Sequence, residues 1–355
     1  MRGASRIRFT VLTLVAALLV PPGVTNPLAA QSGDPALPPM GLPASRAESF
    51  SSEEPSTTEG ALTLLLPVGA QGVAMGRAMT AQRGAETVFW NPAGIARLDQ
   101  GRFTVFRGSH LAGEATAFSL LLTRQPLGVV AVSYQLLDLG DQDFTDENNN
   151  VLGTVSFRDH LAVISFATQL LPALDAGLNF KVFQSRITCR GQCAGAGVNG
   201  RTFAVDAGIQ AAPLGSLPLR LGAMVAHVGP DLQLINSAQA DPLPTRLRVA
   251  VSYEVLAHFL ETPDVELWLT AEVEDRWTEL GSPVVYGGGE LLVGREDLFF
   301  LWAGYGQGQT GQPAGAAAGL GLRYERFRMG IGKSMSGRNL SGESEPVHIS
   351  FGVGF

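Results

Sequence analysis

Val347-His348-Ile349-Ser350-Phe351-Gly352-Val353-Gly354-Phe355 ends the chain with apolar residues at every odd position and polar or small residues between them. A period of two is that of a strand whose two faces meet different surroundings. The same rule runs upstream. Phe327, Met329 and Ile331 alternate with Arg326, Arg328 and Gly330, and Ala318, Leu320, Leu322 and Tyr324 alternate with Gly319, Gly321 and Arg323. Leu247, Val249, Val251 and Tyr253 alternate with Arg246, Arg248, Ala250 and Ser252. Val265, Leu267, Leu269, Ala271 and Val273 alternate with Glu266, Trp268, Thr270, Glu272 and Glu274, and Phe203, Val205, Ala207 and Ile209 with Ala204, Asp206, Gly208 and Gln210. Such runs fill residues 101–355 and number about fourteen, each near the ten residues with which a tilted strand crosses an outer membrane.

A soluble sandwich also alternates, with its apolar face turned inward. The connections favour a membrane barrel. Short ones at Gln125-Pro126, Leu171-Pro172, Leu214-Gly215, Arg295-Glu296 and Glu325, and a slightly longer one near His258, interleave with long polar ones. The long ones run from Asp138 to Val155, Thr188 to Gly200, Gly229 to Pro242, Gln307 to Pro313 and Ser334 to Pro346. Short turns on one side and long loops on the other are the habit of transmembrane barrels. Lipid cannot satisfy backbone N–H and C=O groups, so a sheet in hydrocarbon must close on itself. The expected fold is therefore all-β: a transmembrane antiparallel β-barrel over 101–355, with a Gly-, Arg- and Glu-bearing face enclosed. Phe103, Tyr253, Phe299, Tyr305, Tyr324 and Phe355 lie near strand ends on the apolar parity, where interfacial aromatic belts form.

The N-terminus agrees. Arg2, Arg6 and Arg8 precede the apolar run Phe9 to Val20, and Leu28-Ala29-Ala30 supplies small residues before Gln31. This is the pattern of a secretory signal peptide over 1–30. At about 1.5 Å of rise per residue the run is too short to cross a bilayer of roughly 30 Å. Residues 31–60, rich in Pro, Ser, Glu and Ala, read as a disordered linker. The net charge of −7, with unclustered Lys and Arg, excludes a nucleic-acid surface. The bacterial outer membrane, reached through the periplasm, is the expected location and its lipid the expected surroundings.

Residues 61–100 break the strand rhythm. Gly and Ala dominate, Arg77 to Thr87 reads as a short helix, and Asn91-Pro92 signals a turn. An ordered apolar stretch ahead of a barrel is expected inside the lumen or at its mouth, as a hatch. The run Gly72 to Ala96, GVAMGRAMTAQRGAETVFWNPAGIA, resembles the N-terminal signature of the PorV/PorQ family. That family looks like a branch of the outer-membrane transporters typified by FadL. The resemblance continues through Thr145-Asp146-Glu147-Asn148-Asn149-Asn150, Leu152-Gly153-Thr154, Gly229-Pro230-Asp231-Leu232 and Asp241-Pro242-Leu243-Pro244-Thr245. It implies fourteen strands and a lumenal hatch carrying an Asn-Pro-Ala element, matched here by Asn91, Pro92 and Ala93 with Gly94 following. It implies a part in type IX-like protein secretion, with secretion components or secreted cargo as partners. The alternative implied is FadL-like passive transport of a hydrophobic small molecule. Phe355, with Val353 and Phe351 at alternate positions before it, resembles the terminal strand read by the barrel-assembly machinery.

No catalytic constellation emerges. His110, His160, His227, His258 and His348 lie at no metal-ligand spacing, and neither a nucleophile elbow nor a phosphate-binding loop occurs. No enzyme activity, metal or cofactor is expected. Asp141, Asp143, Thr145 and Glu147 read as a solvated acidic loop, because the Gly and Glu of an EF-hand are missing. Cys189 and Cys193, the two cysteines of an exported chain, are disulfide candidates. Arg220, Arg246, Arg248 and Arg323 fall on the lumen parity, as do Glu266, Glu272 and Glu274, and are expected to pair within the barrel because an unpaired interior charge is costly.

Overall fold

The computed structural model describes residues 59–110, 113–124, 126–192, 197–211, 217–234, 240–259, 264–295, 297–307, 315–335 and 347–355. The signal-peptide reading, nearly all of the linker reading, and Cys193 fall outside them.

The described residues hold sixteen strands: β1 (Arg102–His110), β2 (Gly113–Arg124), β3 (Gly128–Thr145), β4 (Val151–Leu171), β5 (Leu174–Gly191), β6 (Val198–Ala211), β7 (Leu219–Val228), β8 (Leu232–Gln233), β9 (Ala240–Asp241), β10 (Arg246–Glu254), β11 (Val265–Arg276), β12 (Glu279–Val293), β13 (Leu298–Gly306), β14 (Gly315–Tyr324), β15 (Phe327–Met335) and β16 (Val347–Gly354). Fourteen of them close a barrel in sequence order, and β8 pairs with β9 in a small separate sheet. Every pairing is antiparallel, and β1 meets β16 with Arg102 opposite Gly354 and Gly108 opposite His348. Closure removes both sheet edges, as hydrocarbon demands. The even strand count puts Gly101 and Phe355 at one end, called here the near end; the Phe355 N–H donates to the Gly101 carbonyl at 3.0 Å.

The faces divide as the alternation requires. On β16, Ile349 and Phe351 are exposed on the outside while His348 and Ser350 are buried within. Phe103, Phe299, Tyr305, Tyr324 and Phe355 are likewise exposed, and Tyr253 is half-buried. The greasy surface is therefore the outer one.

Two expectations about lengths are corrected. The stretches from Asp138 to Val155 and from Thr188 to Gly200 are mostly strand: β3, β4 and β5 run 18, 21 and 18 residues. In the distal part of β3, Asp141, Gln142 and Asp143 put polar residues on both faces, so the alternation lapses there although pairing continues from Asp141–Ser156 to Thr145–Val151. The acidic loop shrinks to one turn, in which the Asp146 carboxylate accepts from the Asn148 and Asn150 N–H groups and from the Asn150 side-chain amide. These bonds, that of the Asn150 side chain foremost, hold the Asp146 carboxyl below its ordinary range. Nor are all distal connections long, since β11 passes to β12 through residues 277 and 278 alone.

Residues 59–100 run through the barrel. At the distal end the Gly60 N–H donates to Pro242 O at 2.8 Å, and Glu59 forms a forked pair with Arg246 at 2.6 and 2.7 Å. At the near end Arg97 bonds Asp175 at 2.7 and 2.9 Å and Pro172 O at 2.9 Å, beside the β4–β5 turn. The helix expected over Arg77 to Thr87 is not there. The helical pieces are Ala70–Ala74 and the 3-10 turns Leu62–Leu65, Ala85–Phe89 and Pro92–Ile95. Gly76 and Arg77 both take positive φ (60° and 76°), which ends the helix before the expected one begins.

The enclosed face is less polar than its charges imply. Val88, Ile95 and Ala96 pack against Leu121, Val129, Ala131 and Ala167, and Met75, Met79 and Trp90 pack against Phe300 and Trp302. An internal segment with apolar side chains needs apolar wall opposite it, and β2, β3, β4 and β13 supply that wall. Phe300 and Trp302 therefore point inward on a strand whose other face is equally apolar.

Candidate functional site

The geometry centres on where the internal segment touches the wall. Asn91 caps the turn Pro92–Ile95: its Oδ1 accepts from the Ala93 N–H at 3.1 Å, and Pro92 occupies the first helical position, where no N–H is needed. The Asn91 amide donates to Thr80 O at 2.7 Å and to Ile209 O, on strand β6, at 3.3 Å. Ala93 and Gly94 are buried in the same turn. Asn91, Pro92, Ala93 and Gly94 thus form one turn in contact with strand β6.

What lets the turn come so close is glycine. A Cβ on Gly208 would sit 2.0 Å from Asn91 Oδ1, one on Gly177 would sit 2.4 Å from the Pro92 carbonyl carbon, and one on Gly222 would sit 2.2 Å from Thr80 O. These three lie on β5, β6 and β7, with Gly177 opposite Gly208. On the outer face of the same patch Ala176, Ala207 and Ala223 leave an apolar groove of about 500 Å³, flanked by Phe166, Leu178, Ile209 and Leu247. That is within the roughly 300–1,000 Å³ of ordinary small-molecule sites. The wall here is one backbone thick, with no side chain between groove and turn.

The ladder is also interrupted in this region. Val205 faces Val228 but Ala207 faces Val225, so β7 holds one extra residue. His227 sits in that bulge with φ of 61°, and its N–H donates to Asp206 Oδ1 at 2.9 Å. A bulge in a barrel is where pairing ends locally and a side chain is re-aimed. The side chains of Lys181, Asp206 and His227 are almost wholly buried together. Lys181 Nζ lies 2.6 Å from Asp206 Oδ2 and 3.2 Å from His227 Nδ1, and Asn179 donates to Asp206 at 2.9 Å.

The lumen charges hold the segment more than they pair with each other. Arg246 bridges Glu59 and Glu274, and Arg248 bonds Glu274 at 2.5 Å. Glu272 instead accepts from the Thr80 N–H at 2.8 Å and its hydroxyl at 2.7 Å. Glu266 accepts from the Trp268 indole at 3.0 Å, and Arg220 stacks 3.5 Å over the same ring. Arg323 is half-buried near the near end. The expectation of simple Arg–Glu pairing is thus corrected for Glu266 and Glu272: the internal segment and Trp268 supply closer donors. Glu290 went unnoticed in the sequence, yet it ties Gln71 (2.9 Å) to Trp302 (2.8 Å). Lys181, His227 and the three glycines were also missed. Asp206 and Gly208 were visible only as members of an alternating run.

Two small voids adjoin the segment. A void beside Trp90, Lys181 and Arg248 measures about 20 Å³, and one beside Glu86 and Arg328 about 10 Å³, room for about one water each. Among the described residues no group of three or more His, Cys, Asp or Glu could hold a metal ion. Cys189 lies in the distal part of β5.

No protein-family model matches the chain, and no curated protein does. Solved structures do. The toluene transporter TbuX of Ralstonia pickettii superposes with a TM-score of 0.51 at 12% identity, covering 81% of this chain and 98% of that one. A monoaromatic hydrocarbon channel, CymD, gives 0.52 at 12% identity, covering 84% and 99%. The toluene transporter TodX of Pseudomonas putida gives 0.50 at 12%, covering 80% and 96%. The fold is that of the outer-membrane hydrocarbon channels. At such identity the likeness speaks for architecture, and the PorV/PorQ resemblance rests on the sequence motifs alone.

Proposed function

We propose that this barrel, set in the bacterial outer membrane, passes an apolar small molecule from the outside into the lipid, by way of the thin wall over β5, β6 and β7. The observation that carries this is the single-backbone wall between the Asn91-Pro92-Ala93 turn and the apolar groove of about 500 Å³. The neighbours described as hydrocarbon transporters support the same class of cargo. A lumen occupied by its own segment does not pass water-borne solutes freely, whereas a shift of the turn from its glycine contacts, with parting of the β6–β7 ladder where the bulge already interrupts it, opens a lateral way out. Lid movements of this kind gate many sites. The secretion role implied by the PorV/PorQ resemblance gains no support from the site geometry; unchanged protein export after gene deletion would dispose of it.

The test fills the groove from the lipid side without touching the segment. Ala207→Trp with Ala223→Phe is expected to cut uptake of labelled toluene or a medium-chain fatty acid into proteoliposomes by about tenfold, the order expected when an apolar site is occluded. Uptake at the unsubstituted rate, with the barrel correctly folded, would refute lateral passage.

A second expectation concerns assembly. The Phe355 ring lies where a Gly101 Cβ would approach it to 2.5 Å, and Phe351 and Val353 precede it on the outward face. We propose that Phe351, Val353 and Phe355 form the strand end read by the barrel-assembly machinery. Removing Phe355 is expected to lower the amount of heat-modifiable, membrane-inserted barrel several-fold while leaving synthesis unchanged.

A further inference from the structure

The outward face of β4, β5 and β6 changes character over two rungs near the distal end. Nearest the barrel waist the rungs are apolar: Ile164, Phe180 and Val205, then Ala162, Val182 and Phe203. The next rung is His160, Gln184 and Arg201, and the one beyond is Arg158, Arg186 and Asn199. Arg158, Arg186 and Arg201 are all exposed. Arg158 stands directly opposite Arg186, and Arg201 is diagonal to it. Like charges directly opposite on a sheet destabilise it unless something of the other sign lies between them. On the β3 side Asp138 accepts from Arg158 Nε at 2.9 Å, and Asp141 and Glu114 line the same groove, so the carboxylates lie on the Arg158 flank of the patch. Arg186 and Arg201 make no ion pair among the described residues.

We infer that this patch binds the phosphate groups of an outer-leaflet lipid, a phosphorylated glycolipid whose acyl chains lie on the apolar rungs below. The level is right, since the guanidinium groups stand where the hydrocarbon-facing surface ends. The chemistry is right, since forked guanidinium donors match phosphate oxygens two at a time. The spread is right for more than one phosphate: three strands set about 4.8 Å apart carry the three cations across a width that one phosphate does not fill. On β13, β15 and β16 the outward distal positions are Tyr305, Met335 and Val347, with Lys333 the one basic residue, so the patch is local and not a general collar. The inference takes the distal end, where the longer connections lie, as the outer-leaflet side, the arrangement of transmembrane barrels, and rests on the outer-membrane setting proposed above but not on the transport route.

Full-length protein in detergent micelles, titrated with diphosphoryl lipid A and followed by native mass spectrometry, tests it. Arg186→Gln with Arg201→Gln is expected to weaken retention of diphosphoryl lipid A by about tenfold or more, two charge-assisted contacts being lost. Arg186→Lys, which keeps the charge, is expected to lose less. Arg295→Gln, a near-end control, is expected to lose nothing, and phosphate-free lipid A should bind no variant. Heat-modifiable migration establishes that each variant is folded. Equal retention by the double variant, equal binding of the phosphate-free lipid, or equally tight binding of phosphatidylglycerol would overturn the proposal. Loss of this binding with toluene uptake intact would leave the lateral route standing.

Discussion

Leucine at Gly304 and Gly332 is expected to turn a nearly closed barrel into a conducting one. A Cβ at Gly304 would lie 2.1 Å from the Met75 carbonyl carbon and 2.2 Å from Gly76 N, and one at Gly332 would lie 2.3 Å from Ala70 O. These are backbone atoms, so no rotamer change relieves the clash, and the 70–74 helix must leave the wall. Its departure costs the packing of Met75 and Trp90 on Phe300 and Trp302 and the bond from the Ala70 N–H to Ser350 Oγ at 2.8 Å. The strand ladders do not depend on it. Barrels not much larger enclose water-filled channels once their interiors are empty, so single-channel conductance in planar bilayers is expected to rise on the order of tenfold or more. A folded variant that conducts no better than the parent would mean that the internal segment does not close the lumen.

Asp206→Leu carries the largest expected loss of stability. Asp206 neutralises Lys181, accepts from Asn179 and replaces the ladder partner that the bulge takes from the His227 N–H. All of these groups are buried. Removing one member of a buried ion pair leaves the other charge stranded and costs about 3–5 kcal/mol. The unsatisfied His227 N–H adds roughly 1–3 kcal/mol. Adding Lys181→Met to the same chain removes the stranded charge, and most of the loss should return, since replacing both partners of a buried pair by apolar residues is often neutral. Urea unfolding in micelles, followed by tryptophan fluorescence, reads both variants. Equal stability of the single and double variants would show that Lys181 is not held by Asp206.

What could be read from the sequence follows from which surroundings each residue meets. The alternation of β16 was plain because one side faces the outside and the other the enclosed face. The distal part of β3 reads as loop because Asp141, Gln142 and Asp143 put polar residues on both faces and erase the contrast on which the reading depends. β13 keeps Phe299 and Leu301 outside but also Phe300 and Trp302 inside, since the internal helix needs apolar partners. No local pattern announces such a partner. The Asn91-Pro92 turn was legible because its capping is local chemistry. Its seat was not: Gly177, Gly208 and Gly222 belong to three strands, and only pairing register brings them together. The Lys181, Asp206 and His227 cluster was hidden for the same reason. It depends on one extra residue in β7, and an inserted residue shifts parity without leaving a mark in composition.

Photolabelling with a diazirine-bearing apolar ligand, in proteoliposomes and with peptide mapping, asks most directly where the molecule leaves the barrel. Labels concentrated on Ala207, Ile209, Ala223 and Val225, and lost on Ala207→Trp substitution, are what a lateral exit over β5 to β7 requires. Labels spread evenly around the apolar belt, untouched by that substitution, would contradict it.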